Sequence, residues 1–417
     1  MLIFIGLIIV IVTIYLLIKQ YETRMILCAS GFLMSILSGK FFAGFDAFAK
    51  NMIMSGSIET ICSVMGFAYV MKLTECDKHL IHLLAKVLLR VRPILIPAAV
   101  IATFCVNMAL PSAAGTAAAV GAILIPILIS AGIHPAIAGA AILSGLWGSL
   151  LNPGNPHNPF IAKIANIGVM DVIAIHHTTV ITTAITAALA LTIVAKILKE
   201  DKVDILEENS GAQSSFHVNP LYAMVPLLPL TLLVIASAKL IPGFKVGVPQ
   251  AMLIGSVIGV LLTRKNPAEV SKSFFDGMGS AYSGILGIII SAGVFVAGMT
   301  AIGLVDKFTE ILTHSTSIVK VATGFGSFLL AVLAGSGDAA GFAFNGAITP
   351  QAEQFGLKIA NMGSVATLAG AIGHKMSPIG GSTIICAGLA GVNPFDLAKR
   401  NAPGMVIATI VAMIMLF

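Results

Sequence analysis

The most conspicuous shortage in this 417-residue sequence is charge: Asp, Glu, Lys and Arg make up 10% of it, against about 25% in soluble domains. A soluble protein of this length cannot avoid a charged surface, whereas a chain that faces lipid can. The five cysteines are odd in number and lie mostly in apolar segments, so disulfides and metal sites are not expected. The net charge of +6 does not indicate nucleic acid as a partner, because the basic residues stand singly at the ends of apolar segments.

Long apolar segments are abundant in the sequence, and 57% of the residues are hydrophobic. Several are long enough for the ~30 Å hydrocarbon core of a membrane; examples are 2–18, 173–197, 223–240, 251–263 and 402–417. A backbone in lipid must pair its polar groups within its own segment, so these runs predict an all-α polytopic membrane protein. The first run lacks a preceding basic residue and a following cleavage site, so we expect a retained helix rather than a signal peptide. The expected location is the bacterial inner membrane, with lipid as a partner.

The sequence also divides into two similar halves. A polar stretch at 199–219, interpreted as a cytoplasmic linker, separates residues 1–198 from residues 220–417. A Gly-x-x-Gly-x-x-x-x-Pro pattern that begins at Gly145 recurs at Gly370, which is 225 residues later. A motif repeated in register across two apolar halves predicts an internal repeat, as many transporters have.

Each half shows the same order of features: three spans, an amphipathic stretch, a re-entrant hairpin, a broken helix and a last span. The predicted hairpins are at about 93–131 and 318–358, with tips at Ser112 and Ser336. The predicted broken helices are at about 136–166 and 361–391, with breaks at 152–159 and 377–383. A hairpin that does not cross leaves five crossings per half, an odd number, so the second repeat should be inverted. The basic residues agree, because segment 72–92 has five and its counterpart 305–320 has two.

The hairpin tips and helix breaks are where the sequence predicts a solute site. Interrupted helices at membrane depth are tolerated where they line a polar cavity, and paired interruptions point to a transporter site. Helix N-termini at the tips attract anions, and unwound carbonyls at the breaks hold cations. The candidate substrate-binding residues are Ser112, Ala113, Gly115, Thr116, Asn152, Asn155, Ser336, Gly337, Asp338, His374, Lys375, Ser377, Ser382 and Thr383. Candidate cation sites lie near Ser112 and Asn152, and near Asp338 and Ser377; no cofactor is expected beyond a coupling Na⁺ or H⁺.

The charged residues predicted to lie within the membrane can each be interpreted in two ways. Asp338 caps the following helix, or it binds a cation or a proton. His374 and Lys375 pair with Asp338, or they neutralise an anionic substrate. We interpret Trp147 as a packing residue and His157 as a structural histidine. The expected substrate is a small polar anion.

These residues resemble a known family. The segment from Gly335 to Phe344, with Gly373-His374-Lys375-Met-Ser-Pro-Ile-Gly-Gly381, resembles the anaerobic C4-dicarboxylate carriers of the DcuC type. That family is similar to the divalent-anion:sodium symporters of the ion transporter superfamily. The resemblance implies a homodimer, elevator-type alternating access, and fumarate, succinate, malate or aspartate as substrates. Asp338 and His374 depart from the dicarboxylate carriers, which carry asparagine and arginine there.

Three alternatives remain open at this stage. The first is a carrier of another organic anion, coupled to protons or sodium, and the second is a channel built on the same two halves. The third is an intramembrane aspartyl protease, because Gly335-Ser336-Gly337-Asp338 fits the Gly-x-Gly-Asp pattern of such enzymes. The sequence has no Tyr-Asp pair to supply the second acid, and the counterpart of Asp338 in the first half is Ala114.

Overall fold

The computed structural model describes residues 2–19, 21–53, 57–88, 94–201, 216–237, 241, 243–313 and 316–417. These residues are mostly helical and contain no strand. Five apolar helices of at least 18 residues are long enough to cross a membrane: Ala113–Ser130, Val169–Ile197, Pro267–Ala301, Ser317–Ala334 and Pro394–Leu416. The prediction of an all-α, multi-pass membrane protein is confirmed. Most of the predicted linker at 199–219 lies outside the described residues.

The helices follow one another with short connections in both halves of the chain. In the first half they are Leu2–Ile18, Thr23–Leu37, Phe42–Met52, Ser57–Thr74, Cys76–Leu88, Leu95–Ala109, Ala113–Ser130, Pro135–Leu143, His157–Ala165 and Val169–Ile197. In the second half they are Pro220–Met224, Leu228–Ser237, Val248–Thr263, Pro267–Ala281, Gly287–Ala301, Leu304–Thr313, Thr316–Val321, Ser327–Ala334, Gly337–Ala347, Ile359–His374, Gly381–Ala390 and Pro394–Leu416. One π-helical turn joins Pro267–Ala281 to Gly287–Ala301, and another joins Thr316–Val321 to Ser327–Ala334.

Helices of the two halves pack closely on each other. Helix Thr23–Leu37 runs along Gly287–Ala301, and the two backbones touch at Gly31 and Gly298. A Cβ at Gly31 would lie 2.4 Å from the carbonyl oxygen of Val294, so only glycine fits there. Lipid tails are as apolar as the side chains, so the hydrophobic effect does not drive helices together in a membrane. Small residues at the crossings let the backbones approach closely and gain van der Waals contact instead.

Two pairs of consecutive helices, which we call the first and the second hairpin, are joined at Ser112 and Ser336. In the first hairpin, Leu95–Ala109 and Ala113–Ser130 are joined at Ser112, the N-cap of the second helix. In the second hairpin, helix Ser327–Ala334 ends at Gly335, which has the left-handed φ of 65° that favours glycine. Ser336 then caps helix Gly337–Ala347. A new helix therefore begins at both predicted tips.

The two broken helices resume earlier than the sequence suggested. In the first, Pro135–Leu143 is followed by a short 3₁₀ turn, and His157–Ala165 begins inside the segment 152–159 that we expected to be unwound. In the second, Ile359–His374 ends before Lys375, and Gly381–Ala390 starts before Ser382 and Thr383. Those two residues lie in the first turn of a helix rather than in the break, because Gly380 already serves as its N-cap.

Candidate functional site

The tip of the first hairpin is held by its own hydrogen bonds. Ser112 Oγ accepts the backbone N–H of Gly115 at 3.2 Å, which satisfies one of the free donors at the start of helix Ala113–Ser130. Thr116 is 1% exposed, and its hydroxyl donates to the carbonyl of Leu110 at 3.2 Å. Both hydroxyl groups therefore shape the turn.

The first break is fastened to the first helix of that hairpin by amide side chains. Asn107 Oδ1 accepts the backbone N–H of Ser149 at 2.9 Å. Asn152 Nδ2 donates to the carbonyl of Met108 at 2.8 Å, and Asn155 Nδ2 donates to Ser149 Oγ at 3.2 Å. These bonds satisfy buried polar groups that the broken helix leaves without intrahelical partners.

The tip of the second hairpin repeats the cap and adds an acid. Ser336 Oγ accepts the backbone N–H of Ala339 at 3.2 Å. Asp338 follows in the first helical turn, where the helix dipole favours a negative charge. Its Oδ1 lies 3.1 Å from Nε2 of His157, a residue 181 positions earlier in the chain.

His157 is thus part of the site and not only a structural residue. Its imidazole stacks on the ring of Phe342, with centroids 4.1 Å apart and planes 15° apart. The His157 side chain is 4% exposed, whereas the Asp338 side chain, which borders a cavity, is 61% exposed. Of the two interpretations of His374 and Lys375, the contacts do not support pairing with Asp338, because the carboxyl of Asp338 lies against His157 instead.

Lys375 is a buried cation without an acid in contact. Its residue is 2% exposed, and its Nζ lies 3.4 Å from Nδ1 of the neighbouring His374. None of the ion pairs in the described ranges includes Lys375. A buried ammonium costs several kcal/mol unless an anion compensates it. The arrangement therefore suits a ligand that brings a carboxylate.

One cavity of about 220 Å³ collects these groups between both hairpin tips and both breaks. The candidate residues that line it are Ala113, Asn155, Ser336, Gly337, Asp338, His374, Lys375 and Ser382. The candidates outside its lining are Ser112, Gly115, Thr116, Asn152, Ser377 and Thr383. A water occupies about 30 Å³ in the liquid, so the cavity has room for a small organic solute.

Several buried polar atoms around this cavity lack a hydrogen-bond partner within the described part of the chain. Trp147 Nε1 and Ser382 Oγ belong to residues in the lining, and Ser377 Oγ and Thr383 Oγ1 lie near the second break. Unsatisfied buried groups are rare in folded proteins, and a bound water, ion or ligand is the usual partner of such a group. Hydroxyl oxygens are ligands for hard cations. The described residues contain no group of three or more His, Cys, Asp or Glu that could hold a metal.

Sequence reasoning missed three members of this site. His157 and Trp147 line the cavity although we interpreted both as structural, and Asn107, which braces the first break, drew no attention. The position of His157 inside a predicted break was the available signal, because an imidazole at membrane depth is costly without a role.

Comparison with known proteins agrees with this architecture. A model of the family described as C4-dicarboxylate anaerobic carrier, DcuC, matches residues 1–417. The chain is 41% identical over 272 residues to a Haemophilus influenzae protein named only as an uncharacterized transporter, an alignment that covers 63% of this chain and 98% of the relative. It is 23% identical to the anaerobic C4-dicarboxylate transporter DcuC of Escherichia coli strain K12, with 98% and 95% of the two chains covered.

A solved structure shares the fold. The YdaH transporter of Alcanivorax borkumensis superimposes with a TM-score of 0.64 at 15% identity, over 91% of this chain and 88% of that one. The family and its named relatives are transporters, so the protease alternative is wrong. The protein is a membrane carrier rather than an enzyme, and it belongs to the DcuC family of C4-dicarboxylate anaerobic carriers.

Proposed function

We propose that this protein is a secondary active transporter of small carboxylates, and of C4-dicarboxylates first of all. The observation that carries the proposal is Lys375, a buried ammonium that faces the cavity and whose side-chain contact within the described residues is the imidazole of His374. A substrate carboxylate would supply the missing counter-charge, and a charge-assisted hydrogen bond is about twice as strong as a neutral one.

A second carboxylate has donors on both sides of the cavity. Helices Ala113–Ser130 and Gly337–Ala347 begin at its wall, and the first N–H groups of a helix have no intrahelical partners. Unpartnered side-chain donors at Trp147 and Ser382 stand in the same wall. This spread of donors favours a ligand with an anionic group at each end. The family description and the name of the Escherichia coli relative favour the same substrate class.

The transport cycle we propose is alternating access by an elevator movement of two inverted repeats in a homodimer. The recurring order of helices, with a capped hairpin and a broken helix in each half, supports two related repeats. The five crossings per half that the sequence predicts, an odd number, would make the second repeat inverted. The proposed location is the bacterial inner membrane, and its lipid is the remaining partner.

We infer that coupling, where it occurs, uses Na⁺ or H⁺ and no organic cofactor. Near Asp338 and Ser377, the unpartnered hydroxyl of Ser377 is available to a cation. The candidate near Ser112 and Asn152 is weaker, because the oxygens of both side chains already accept backbone N–H groups.

Counterflow in proteoliposomes tests the proposal. Vesicles loaded with labelled succinate should release it when fumarate, malate, succinate or aspartate is added outside. Lys375→Gln should raise the KM of exchange at least tenfold, because the buried counter-charge is lost. Lys358→Gln is the matched control, since it removes an exposed lysine from the start of the same broken helix. Failure of all four compounds to release succinate from wild-type vesicles would rule out dicarboxylates and leave another organic anion as the substrate.

A further inference from the structure

The cavity contains an acid as well as a base, which a site for a plain dianion does not need. Asp338 uses Oδ1 in its contact with His157, and Oδ2 makes no hydrogen bond within the described residues. The carboxylate lines the same cavity as Lys375, yet the two do not form an ion pair. Each charge is therefore available to a bound solute.

His157 does not cancel the charge of Asp338. The imidazole is 3% exposed, and its Nδ1 is buried without a hydrogen-bond partner. An imidazolium would carry a proton on both ring nitrogens, so its Nδ1–H would be a buried donor with no acceptor, which is expensive. The neutral tautomer leaves Nδ1 bare and lets Nε2–H donate to Asp338, which fits both observations. We therefore assign His157 as a neutral donor that orients an ionised carboxylate.

The remaining charges define the solute that complements them. An ionised Asp338 repels a carboxylate and attracts an ammonium, whereas Lys375 and the N-terminus of helix Ala113–Ser130 attract carboxylates. We propose that the cavity selects dicarboxylates that also carry an ammonium group, with Asp338 as the residue that binds the ammonium. His157 is a positioning residue that holds the carboxylate through Nε2. This inference rests on the proposed function, because it assigns the substrate class of the same site.

Selectivity between two solutes of equal length tests the assignment. L-Aspartate and succinate share a four-carbon skeleton with a carboxylate at each end, and aspartate adds the ammonium. Uptake of each by wild-type proteoliposomes gives a ratio of kcat/KM that a folding defect, which lowers both rates alike, does not change. We expect wild-type protein to favour aspartate at least tenfold.

Asp338→Asn keeps the shape of the side chain and removes its charge. It should lower the aspartate-to-succinate ratio at least tenfold while succinate uptake stays level or rises. Glu353→Gln is the matched control, an exposed acid on the connection that follows the same hairpin, and it should leave the ratio unchanged. His157→Gln retains an N–H donor and should preserve the ratio, whereas His157→Ala should reduce it.

Two outcomes would overturn the inference without touching the proposed function. One is a wild-type preference for succinate. The other is an aspartate-to-succinate ratio that Asp338→Asn leaves unchanged, because loss of an ammonium-binding carboxylate must alter that ratio whatever the amount of folded protein. If wild-type vesicles transport no dicarboxylate, with or without an ammonium, the proposed function itself fails.

Discussion

Substituting Gly341 by alanine tests the His157–Asp338 contact, because the added methyl group would crowd the imidazole of His157. A Cβ at this position would stand 2.7 Å from Cε1 of His157 and 3.2 Å from its Nδ1. Tolerable Cβ contacts start near 3.4 Å, so the ring must withdraw by about 0.7 Å. The imidazole is stacked on Phe342 and almost fully buried, so the ring has little room to move, and we expect its shift to disturb the contact with Asp338.

The size of the effect follows from this displacement. The Nε2–Oδ1 distance between His157 and Asp338 is 3.1 Å, and an added 0.7 Å takes it beyond hydrogen-bonding range. Loss of a hydrogen bond to a charged group costs about 1.5–3 kcal/mol. Replacing glycine by alanine inside a helix returns about 0.5–1 kcal/mol. We therefore expect Gly341→Ala to lower the free energy of unfolding by about 1–2 kcal/mol and to slow dicarboxylate exchange.

Thermal unfolding in detergent and counterflow in vesicles would measure the two effects. Gly388→Ala is the matched control, because Gly388 also lies inside a helix and a Cβ there would meet nothing within 4 Å. That variant should be as stable as wild type or slightly more stable, with normal exchange. Gly341→Ala with wild-type stability and exchange would refute the reasoning, since the ring could then not be held where the contact places it.

The remaining predictions concern the helix caps and the N-terminal end of the last helix. Ser112→Ala and Ser336→Ala should each lower the free energy of unfolding by about 0.5–2 kcal/mol and impair exchange, because each removes a helix cap. Threonine at either position should restore stability and exchange. Wild-type exchange rates in both alanine variants would count against the hairpin tips as functional elements. The hydrogen bonds from Arg400 hold the pKa of the Glu200 carboxyl below its ordinary value of 4.5, so Glu200 stabilises the fold above that pH and the stabilisation is lost as pH falls through the lowered pKa. Unfolding temperatures measured against pH should therefore drop more steeply on acidification for wild type than for Glu200→Gln, and parallel curves would contradict the contribution of this carboxylate.

The helices and their order could be predicted from the sequence because hydrophobic length and helix breakers are local properties. The apolar runs gave the spans, and Ser112 and Ser336 marked both turns, since a serine before a run of small residues is a strong N-cap. The limits of the breaks were less accurate. Gly380 caps the helix at Gly381 before the hydroxyl residues begin, and a proline run permits a helix to start at His157.

The contacts among the site residues could not be predicted, because they join parts of the chain that are distant in sequence. His157 and Asp338 are 181 residues apart, and the internal repeat pairs neither with the other. Repeat symmetry matches equivalent positions, such as Ser112 with Ser336, whereas the His157–Asp338 contact joins a break of one half to a hairpin tip of the other. Likewise, Asn152 looked free to bind solute, but the fold uses its amide to hold the first hairpin.

The chain's only tryptophan makes the unmodified protein its own optical reporter. Trp147 is 0% exposed, it lines the cavity, and its indole N–H has no partner among the described residues. All tryptophan fluorescence of the wild-type chain therefore originates at one wall of the solute site. A solute that accepts a hydrogen bond from this N–H, or a change in the hydration of the cavity, should alter the emission of this one fluorophore. No engineered label is needed.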